Sequence, residues 1–368
     1  MLLFYRRTAG SFDWISFIIM LFLCAVGLAF VWSATYKPDM PYSLFFRKQT
    51  FGIISGIAIY VLVSMIDFRT LMRQGYFLYF CTMALLIFTI IKGSIGMGAQ
   101  RWINLGFIKI QPSELTKLFF PAFATYFLFT QQENFIYRFK DFRVILIVLA
   151  LSMLLIIKQP DLGTALILGF SALIILWLAG MDKRFFIYGA LICCLCAPVL
   201  WHFLKSYQRQ RITVFLGAGD MHKERYQLEQ AKIAIGSGGL WGKGFLQGTQ
   251  NKLLFLPESR TDFIFAVVCE ETGFMGALGI LFLYVFLFFH LLLAIRKLAS
   301  PFSQLFAYGL LVHIMLSTFI NIGMVIGLLP IVGIPLPFMS YGISNLWISF
   351  ASLGAIQSVL KGGAYSID

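Results

Sequence analysis

The sequence predicts an all-α, polytopic membrane protein with about ten transmembrane helices and one large extracytoplasmic loop. Hydrophobic residues make up 60% of the 368-residue chain. Charged residues make up only 12%, whereas an ordinary soluble domain carries about 25%. Several apolar runs approach the roughly 20 residues that a spanning helix needs. We therefore expect residues 1–368 to form a single transmembrane domain, with the loop at about 205–261 as its main soluble part.

Ten apolar segments are the predicted spans. They lie at roughly 14–34, 49–66, 74–92, 111–130, 143–158, 161–180, 185–204, 262–295, 303–329 and 342–360. An even number of spans places both termini on one side, and Arg6 and Arg7 before the first span favour the cytoplasm. No clear small-residue cleavage site follows the first apolar run, so we expect it to be retained as an anchor.

Basic residues also crowd the opposite face, where the positive-inside rule does not expect them. Arg47, Lys92, Arg101 and Lys109 fall there, together with many cations of the loop at about 205–261. The net charge of +13 suits an anionic partner. Nucleic acid is a poor candidate outside the cell, so a lipid phosphate or pyrophosphate is the better one.

The segment LPESRTDFIFAVVCEE places Asp262 at the start of a long apolar run. Pro257 marks the end of the loop, and Ser259 is the expected N-cap, with Asp262 three residues later as in a capping box. Glu270 and Glu271 then lie about 12–14 Å deeper along the helix. Ionisable groups at membrane depth favour a functional role. The alternative is that Asp262 only complements the helix dipole.

The run GSGGLWGKGFLQGTQ, at 236–250, is rich in glycine but lacks the P-loop pattern, so nucleotide binding is not expected. Its glycines would let backbone amides approach a ligand closely, or the run is simply a mobile loop. The six cysteines all fall in apolar runs without metal or disulfide spacing, and the four histidines are scattered. We therefore predict no metal site built from protein side chains.

Two further segments carry charged or irregular features near the same membrane face. Glu114 and Lys117 are three residues apart, so they share one helix face and can pair. Arg101 stands beside a tryptophan, and Asp161 begins the sixth span. The segment at 321–345 holds three prolines that cannot lie in one continuous helix, so we expect irregular backbone there.

These motifs together resemble the SEDS family (shape, elongation, division and sporulation), and most closely its members that determine rod shape. The matching residues are Gly98-Ala99, Arg101-Trp102-Ile103, Gln111-Pro112-Ser113-Glu114 with Lys117, Gln159-Pro160-Asp161-Leu162-Gly163-Thr164, Tyr226-Gln227, Ala234-Ile235-Gly236-Ser237-Gly238-Gly239, Gly242-Lys243-Gly244, Gly248-Thr249-Gln250, Leu256-Pro257-Glu258, Thr261-Asp262-Phe263-Ile264-Phe265, Glu270-Glu271, Asn321-Ile322-Gly323 and Gly333-Ile334-Pro335-Leu336-Pro337-Phe338. Two positions depart from the family pattern: Arg260 stands where relatives commonly have His, and Ile343 replaces a glycine.

The resemblance implies a ten-span glycosyltransferase of the bacterial cytoplasmic (inner) membrane that polymerises lipid II into peptidoglycan strands for cell elongation. It implies a class B penicillin-binding protein transpeptidase as a partner, together with other membrane proteins of cell-wall elongation, and no nucleic acid. The family's essential acid aligns with Asp262, and the Glu114–Lys117 pair matches positions important in the family. The active site would lie on the extracytoplasmic face.

The chemical hypothesis is that Asp262 acts as general base on the 4-hydroxyl of an acceptor sugar while undecaprenyl pyrophosphate leaves. Glycoside hydrolysis normally needs a second carboxyl, but a pyrophosphate is already a good leaving group that cations can stabilise. The substrate-binding candidates are Arg101, Glu114, Lys117, Arg211 and Lys243. Lipid anchoring is the alternative role for each cation. No cofactor is certain, and a divalent cation, Mg²⁺ or Mn²⁺, stays open as a neutraliser of the phosphates.

Two other functions stay open from the residues alone. A lipid II flippase or transporter would also use many spans, intramembrane acids and proline-broken loops, and it would depend most on Asp161, Glu270 and Glu271. A noncatalytic membrane scaffold for a penicillin-binding protein would tolerate replacement of Asp262.

Overall fold

The structure is a computed structural model that describes residues 12–96, 99–104, 106, 109–131, 139–217, 224–252 and 255–362. Arg6, Arg7 and Gly98, which entered the sequence predictions, lie outside the described residues. The helices are α1 (Trp14–Thr35), α2 (Leu44–Met65), α3 (Phe68–Lys92), α4 (Pro112–Gln131), α5 (Phe139–Lys158), α6 (Leu162–Leu178), α7 (Lys183–Phe203), α8 (Ser206–Phe215), α9 (Glu224–Gly238), α10 (Thr249–Lys252), α11 (Ile264–Arg296), α12 (Pro301–Val325) and α13 (Ile343–Gly362). Strands β1 (Ser94–Gly96), β2 (Ala99–Asn104) and β3 (Lys109–Ile110) form one antiparallel sheet in the order β1-β2-β3.

Each of the ten predicted spans coincides with a long helix, namely α1 to α7 and α11 to α13. Within the described residues, six of these helices have the length and apolar composition needed to cross a membrane: α1, α2, α3, α11, α12 and α13. The prediction of an all-α, multi-pass membrane protein is therefore confirmed. The division into a single domain stays a prediction.

The segment at about 205–261 is a folded unit rather than a plain connector, because it contains α8, α9 and α10. Helix α9 packs against α11 through Ala231 and Ala234, which are fully buried in the same core as the first turns of α11. This packing fixes the segment against the region where Asp262 lies.

Helix α11 is broken at Gly273, which corrects the prediction of a continuous span. Gly273 has φ 69° and ψ −165°, and a Cβ there would overlap the backbone nitrogen of Gly242. The glycine-rich segment bonds across the break: Phe274 N donates to Gly239 O at 2.8 Å, and Lys243 N donates to Glu270 O at 3.0 Å. The break exists because a second backbone occupies the space of a side chain.

The start of α11 also differs from prediction. The helix begins at Ile264, its N-cap is Phe263, and no side chain caps it. The predicted capping box of Ser259 and Asp262 is therefore wrong, because residues 257–263 form turns that continue to bend before the helix starts. Asp262 is consequently a turn residue.

One end of the helical bundle gathers the segments that sequence analysis singled out, and we call it the site face. Asp161, the N-cap of α6, accepts hydrogen bonds from Gln111 and Ser113 at the start of α4. Ser344 Oγ of α13 donates to Lys109 O of β3 at 3.0 Å. The site face thus holds the sheet, the first turns of α4, α6, α11 and α13, and the last turn of α12.

Candidate active site

The backbone oxygen of Asp262 is bound by a buried asparagine side chain. Asn321, fully buried near the end of α12, donates through Nδ2 to Asp262 O at 2.9 Å and to Ile334 O at 2.7 Å. One amide group therefore ties the turn before α11 to the proline-rich segment. Asp262 itself is half-buried.

The proline-rich segment, residues 330–342, is non-helical as predicted and forms one wall beside Asp262. Gly333 has φ 74°, and a Cβ built there would lie 3.5 Å from Asp262 Oδ2. Ser340 Oγ donates to Thr261 O at 2.6 Å and accepts from Leu336 N at 2.8 Å. These bonds hold the segment against the turn that carries Asp262.

The surroundings of Asp262 raise the pKa of its carboxyl group. Burial, and after it the nearby Glu258 carboxylate, raises the pKa of Asp262 from 3.8 to about 6. The positive charges of Arg211 and Arg101 oppose this rise in pKa. The structure therefore brings together three of the predicted site residues, Asp262, Arg101 and Arg211, although they are far apart in sequence.

Arg101 extends from β2 and is partly exposed, with 21% of its side chain accessible. Its Nη1 lies 3.7 Å from Asp161 Oδ1, and its buried Nε has no hydrogen-bond partner among the described residues. Asp161 also accepts from Thr164 N at 3.3 Å, which caps α6. Asp161 thus orients the guanidinium of Arg101 through Nη1, and other N–H groups of this guanidinium can donate to an anion.

Arg211 belongs to α8 and lines a small cavity with Leu329 and with Pro330 and Ile331 of the proline-rich segment. The folded segment at about 205–261 is what carries this arginine to the site. Sequence spacing alone could not indicate that Arg211 lies near Asp262.

Glu114 and Lys117 form the predicted ion pair, with Lys117 Nζ 2.7 Å from Glu114 Oε2. Their side chains are only 7% and 1% exposed, respectively. Asn345 Nδ2 donates to Glu114 Oε2 at 3.1 Å, which joins α4 to α13. In this conformation the pair contacts protein groups, and direct contact of either residue with substrate stays a prediction.

Lys243 is engaged with a buried carboxylate. Its Nζ lies 2.7 Å from Glu270 Oε1, which also accepts from Thr249 N at 2.7 Å and Gln250 N at 3.1 Å. The amides of the glycine-rich segment therefore approach a carboxylate of the protein itself. Two of the buried acids have basic partners, since Glu270 pairs with Lys243 and Asp161 lies beside Arg101. Phosphate binding by Lys243 stays a prediction.

Sequence reasoning missed some residues that shape the site. Asn321 lies within a matched motif and Ser340 lies just beyond one, but their roles depend on contacts across the fold. Arg260 lies over the ring of Phe45, with its guanidinium carbon 4.0 Å from the ring centroid. No sequence signal indicated that this departure from the family pattern would stack on an aromatic ring.

Comparison with known proteins gives a consistent family assignment. The family model named for FtsW, RodA and SpoVE, described as cell cycle protein, matches residues 13–363. The peptidoglycan glycosyltransferase MrdB of Escherichia coli K12 is 37% identical over 345 residues, which cover 93% of this chain and 91% of that protein.

Two solved structures have similar folds at 25% sequence identity. One is from work on how a peptidoglycan synthase complex coordinates polymerization and crosslinking, with TM-score 0.80 and coverage of 95% of this chain and 98% of that one. The other is rod shape determining protein RodA of Thermus thermophilus, with TM-score 0.72 and coverage of 97% and 99%.

Proposed function

Because the chain belongs to the cell cycle protein family of FtsW, RodA and SpoVE, we propose that it is a peptidoglycan glycosyltransferase that polymerises lipid II for cell elongation. The predicted membership of the SEDS family is confirmed. The observation that carries the catalytic proposal is a half-buried carboxylate, Asp262, on a turn whose backbone is tied down by hydrogen bonds, with two arginines in its electrostatic surroundings.

Asp262 is the proposed general base. With its pKa near 6, the carboxylate is mostly ionised at neutral pH and still basic enough to take a proton. It removes the proton from the 4-hydroxyl of the acceptor N-acetylglucosamine as that oxygen attacks the anomeric carbon of the donor sugar. The C–O bond to undecaprenyl pyrophosphate breaks, and the α-linked donor becomes a β-linked product. Such proton transfer typically contributes about 10²–10⁴ in rate.

Arg101 and Arg211 are the proposed partners of the departing pyrophosphate. Both are close enough to Asp262 to lower its pKa, so the base and the cations share one site. Guanidinium groups bind phosphate oxygens in a bidentate manner, which orients the leaving group as well as neutralising it. No second carboxylic acid is then needed to protonate the leaving oxygen. Lys117 and Lys243 each form an ion pair with a glutamate of the protein, so we assign neither of them to direct contact with the pyrophosphate.

A divalent cation that neutralises the pyrophosphate stays a prediction, and the proposed mechanism does not require one. Among the described residues, no cluster of three or more His, Cys, Asp or Glu side chains could hold a metal ion. The Glu258 carboxylate is near enough to raise the pKa of Asp262, and Mg²⁺ commonly uses one or two carboxylates plus substrate phosphates. A bound Mg²⁺ or Mn²⁺ would neutralise charge on the pyrophosphate.

A class B penicillin-binding protein transpeptidase is the proposed partner, because the glycan product must be crosslinked. The similar chain from a peptidoglycan synthase complex supports this choice. The proposed setting is the bacterial inner membrane, with both termini cytoplasmic and the site face outside, where lipid-linked precursors are consumed.

The test is incubation of the purified full-length protein with fluorescently labelled lipid II, with and without the purified transpeptidase, followed by sizing of the products. We expect glycan strands longer than one disaccharide unit that a muramidase degrades. Recovery of lipid II unchanged under both conditions would overturn the proposed activity.

A further inference from the structure

A second cavity lies at the opposite end of the bundle from the site face. Helix α3 has 25 residues and so runs about 37 Å from Phe68 to Lys92, where the sheet with Arg101 follows. Helix α12 likewise runs from Pro301 to the proline-rich segment at its far end. The cavity is lined by the first residues of both helices and by the last turns of α4, and it has a volume of about 280 Å³.

The mouth of this cavity is positively charged. Arg69 and Arg73, one turn apart on α3, both line it and are both exposed. Among the described residues, none that lines the cavity is acidic. The nearby Asp67 is committed to capping α3, because its Oδ1 accepts from Arg69 N at 2.9 Å.

A third positive contribution comes from the backbone. The N-terminus of α12 lies at the cavity through Ser300, Phe302 and Ser303, and a helix N-terminus favours anions. Ser300 is the N-cap of α12, but its hydroxyl makes no hydrogen bond to the backbone N–H groups of the first turn, as an N-cap serine usually does. Ser303 is 1% exposed and still lines the cavity, which places a hydroxyl deep in its wall.

The remaining walls are apolar and aromatic. Phe68, Met72 and Phe302 are buried, and Tyr126 and Phe129 of α4 complete the lining. Phe129 packs edge-on against Phe302 with ring centroids 4.9 Å apart, so the two helices share one aromatic wall. A cavity with two arginines at the mouth and aromatic rings behind them matches an amphiphile rather than a free ion, because a hydrated ion gains nothing from the rings.

We infer that this cavity binds the phosphate group of an anionic phospholipid, with Arg69 and Arg73 as its charged partners and the aromatic wall beside the glycerol and first acyl carbons. Basic pockets between membrane helices are suited to lipid headgroups of this kind. In the proposed topology this face meets the cytoplasmic leaflet, where anionic lipids attract basic residues. The inference does not depend on the catalytic role of Asp262.

The test measures the thermal unfolding temperature of the full-length protein in neutral detergent during titration with short-chain phosphatidylglycerol. The variant is Arg69→Gln combined with Arg73→Gln. The matched control is Lys183→Gln combined with Arg184→Gln, two exposed cations on the same end of the bundle that do not line the cavity. Each basic residue near an anionic lipid is worth about a factor of five in affinity, so the variant should bind about 25-fold more weakly, and the control should match the wild type.

Two further titrations identify the source of the phosphate. Short-chain phosphatidylcholine and inorganic phosphate should both raise the unfolding temperature far less than phosphatidylglycerol does. An equal effect of inorganic phosphate would overturn the lipid assignment, and equal phosphatidylglycerol binding by the variant and the control would overturn the site. If the double glutamine variant unfolds, Arg69→Lys with Arg73→Lys keeps both charges and should retain most of the binding, whereas complete loss there would contradict the charge-based site.

Discussion

The pH dependence of lipid II polymerisation follows directly from the environment of Asp262. Burial and Glu258 raise the pKa of this carboxyl from 3.8 to about 6. A base must be ionised to act, so the rate should rise as pH increases through the pKa. With a pKa of about 6, the ionised fraction is about one-tenth at pH 5 and about nine-tenths at pH 7, which predicts about a tenfold rise in rate.

The pH at which the rate reaches half its maximum, the midpoint of the profile, should be moved in opposite directions by removing a negative or a positive neighbouring charge. Glu258→Gln removes a negative charge that raises the pKa of Asp262, so the midpoint should fall below that of the wild type. Arg211→Gln removes a positive charge that lowers the pKa, so the midpoint should rise. Glu229→Gln, at an exposed position of α9, is the matched control and should leave the midpoint unchanged.

The assay is the initial rate of glycan formation at subsaturating labelled lipid II from pH 5 to 8, because this rate reports the pKa values of the free enzyme. The position of the midpoint separates proton transfer from substrate binding, since weaker binding alone lowers the rate at every pH. A flat profile, or a shift of Glu258→Gln and Arg211→Gln in the same direction, would refute the reasoning.

Three further predictions concern stability. Lys117→Met should lower the unfolding free energy by about 3–5 kcal/mol, because it leaves Glu114 charged and buried, and Lys117→Met with Glu114→Gln should recover most of that loss in denaturant titrations. Asp262→Asn should raise the unfolding temperature at pH 8 but leave it nearly unchanged at about pH 3. The raised pKa means that burying the charged form destabilises the fold fully above about pH 6, and this penalty shrinks as the pH falls from 6 to 3.8 and is lost below 3.8, where the folded and unfolded states are both protonated. Equal stabilisation at both pH values would contradict this. Gly273→Ala should be strongly destabilising because its Cβ overlaps the backbone of Gly242, whereas Gly279→Ala, where a Cβ meets open space, should be tolerated in the same measurement.

Much of the fold was predictable because its signals are local. Apolar runs of the right length predicted the ten long helices, since each run needs only its own residues to be recognised. The Glu114–Lys117 pair followed from a spacing of three residues on one helix face. Asp262 stood out because a carboxylate beside a long apolar run is unusual.

The remaining features depend on contacts between distant parts of the chain. The break at Gly273 arises because the segment around Gly242 bonds across α11, and nothing within the apolar run itself indicates that crossing. The glycine-rich segment looked like a ligand cradle, but its amides serve the Glu270 carboxylate. A pattern of glycines shows that a backbone can approach an anion closely, and it does not say whether that anion belongs to a ligand or to the protein.

The position of Arg101 illustrates the same limit for charges. Sequence spacing identified it as a cation near the membrane surface, yet its partner Asp161 is sixty residues away and its neighbour Asp262 is farther still. Only the fold brings the sheet, the start of α6 and the turn before α11 to one face. The site is therefore a product of tertiary structure, although each of its charged members was visible in the sequence.

The most direct measurement of the central claim compares purified Asp262→Asn with Asp182→Asn, an exposed aspartate beyond α6, in lipid II polymerisation at pH 7.5. The proposed mechanism predicts that Asp262→Asn loses at least about 10²-fold in rate while it folds and inserts normally, and that Asp182→Asn retains the rate of the wild type. Glycan strands made by Asp262→Asn at the wild-type rate would contradict the assignment of Asp262 as the base.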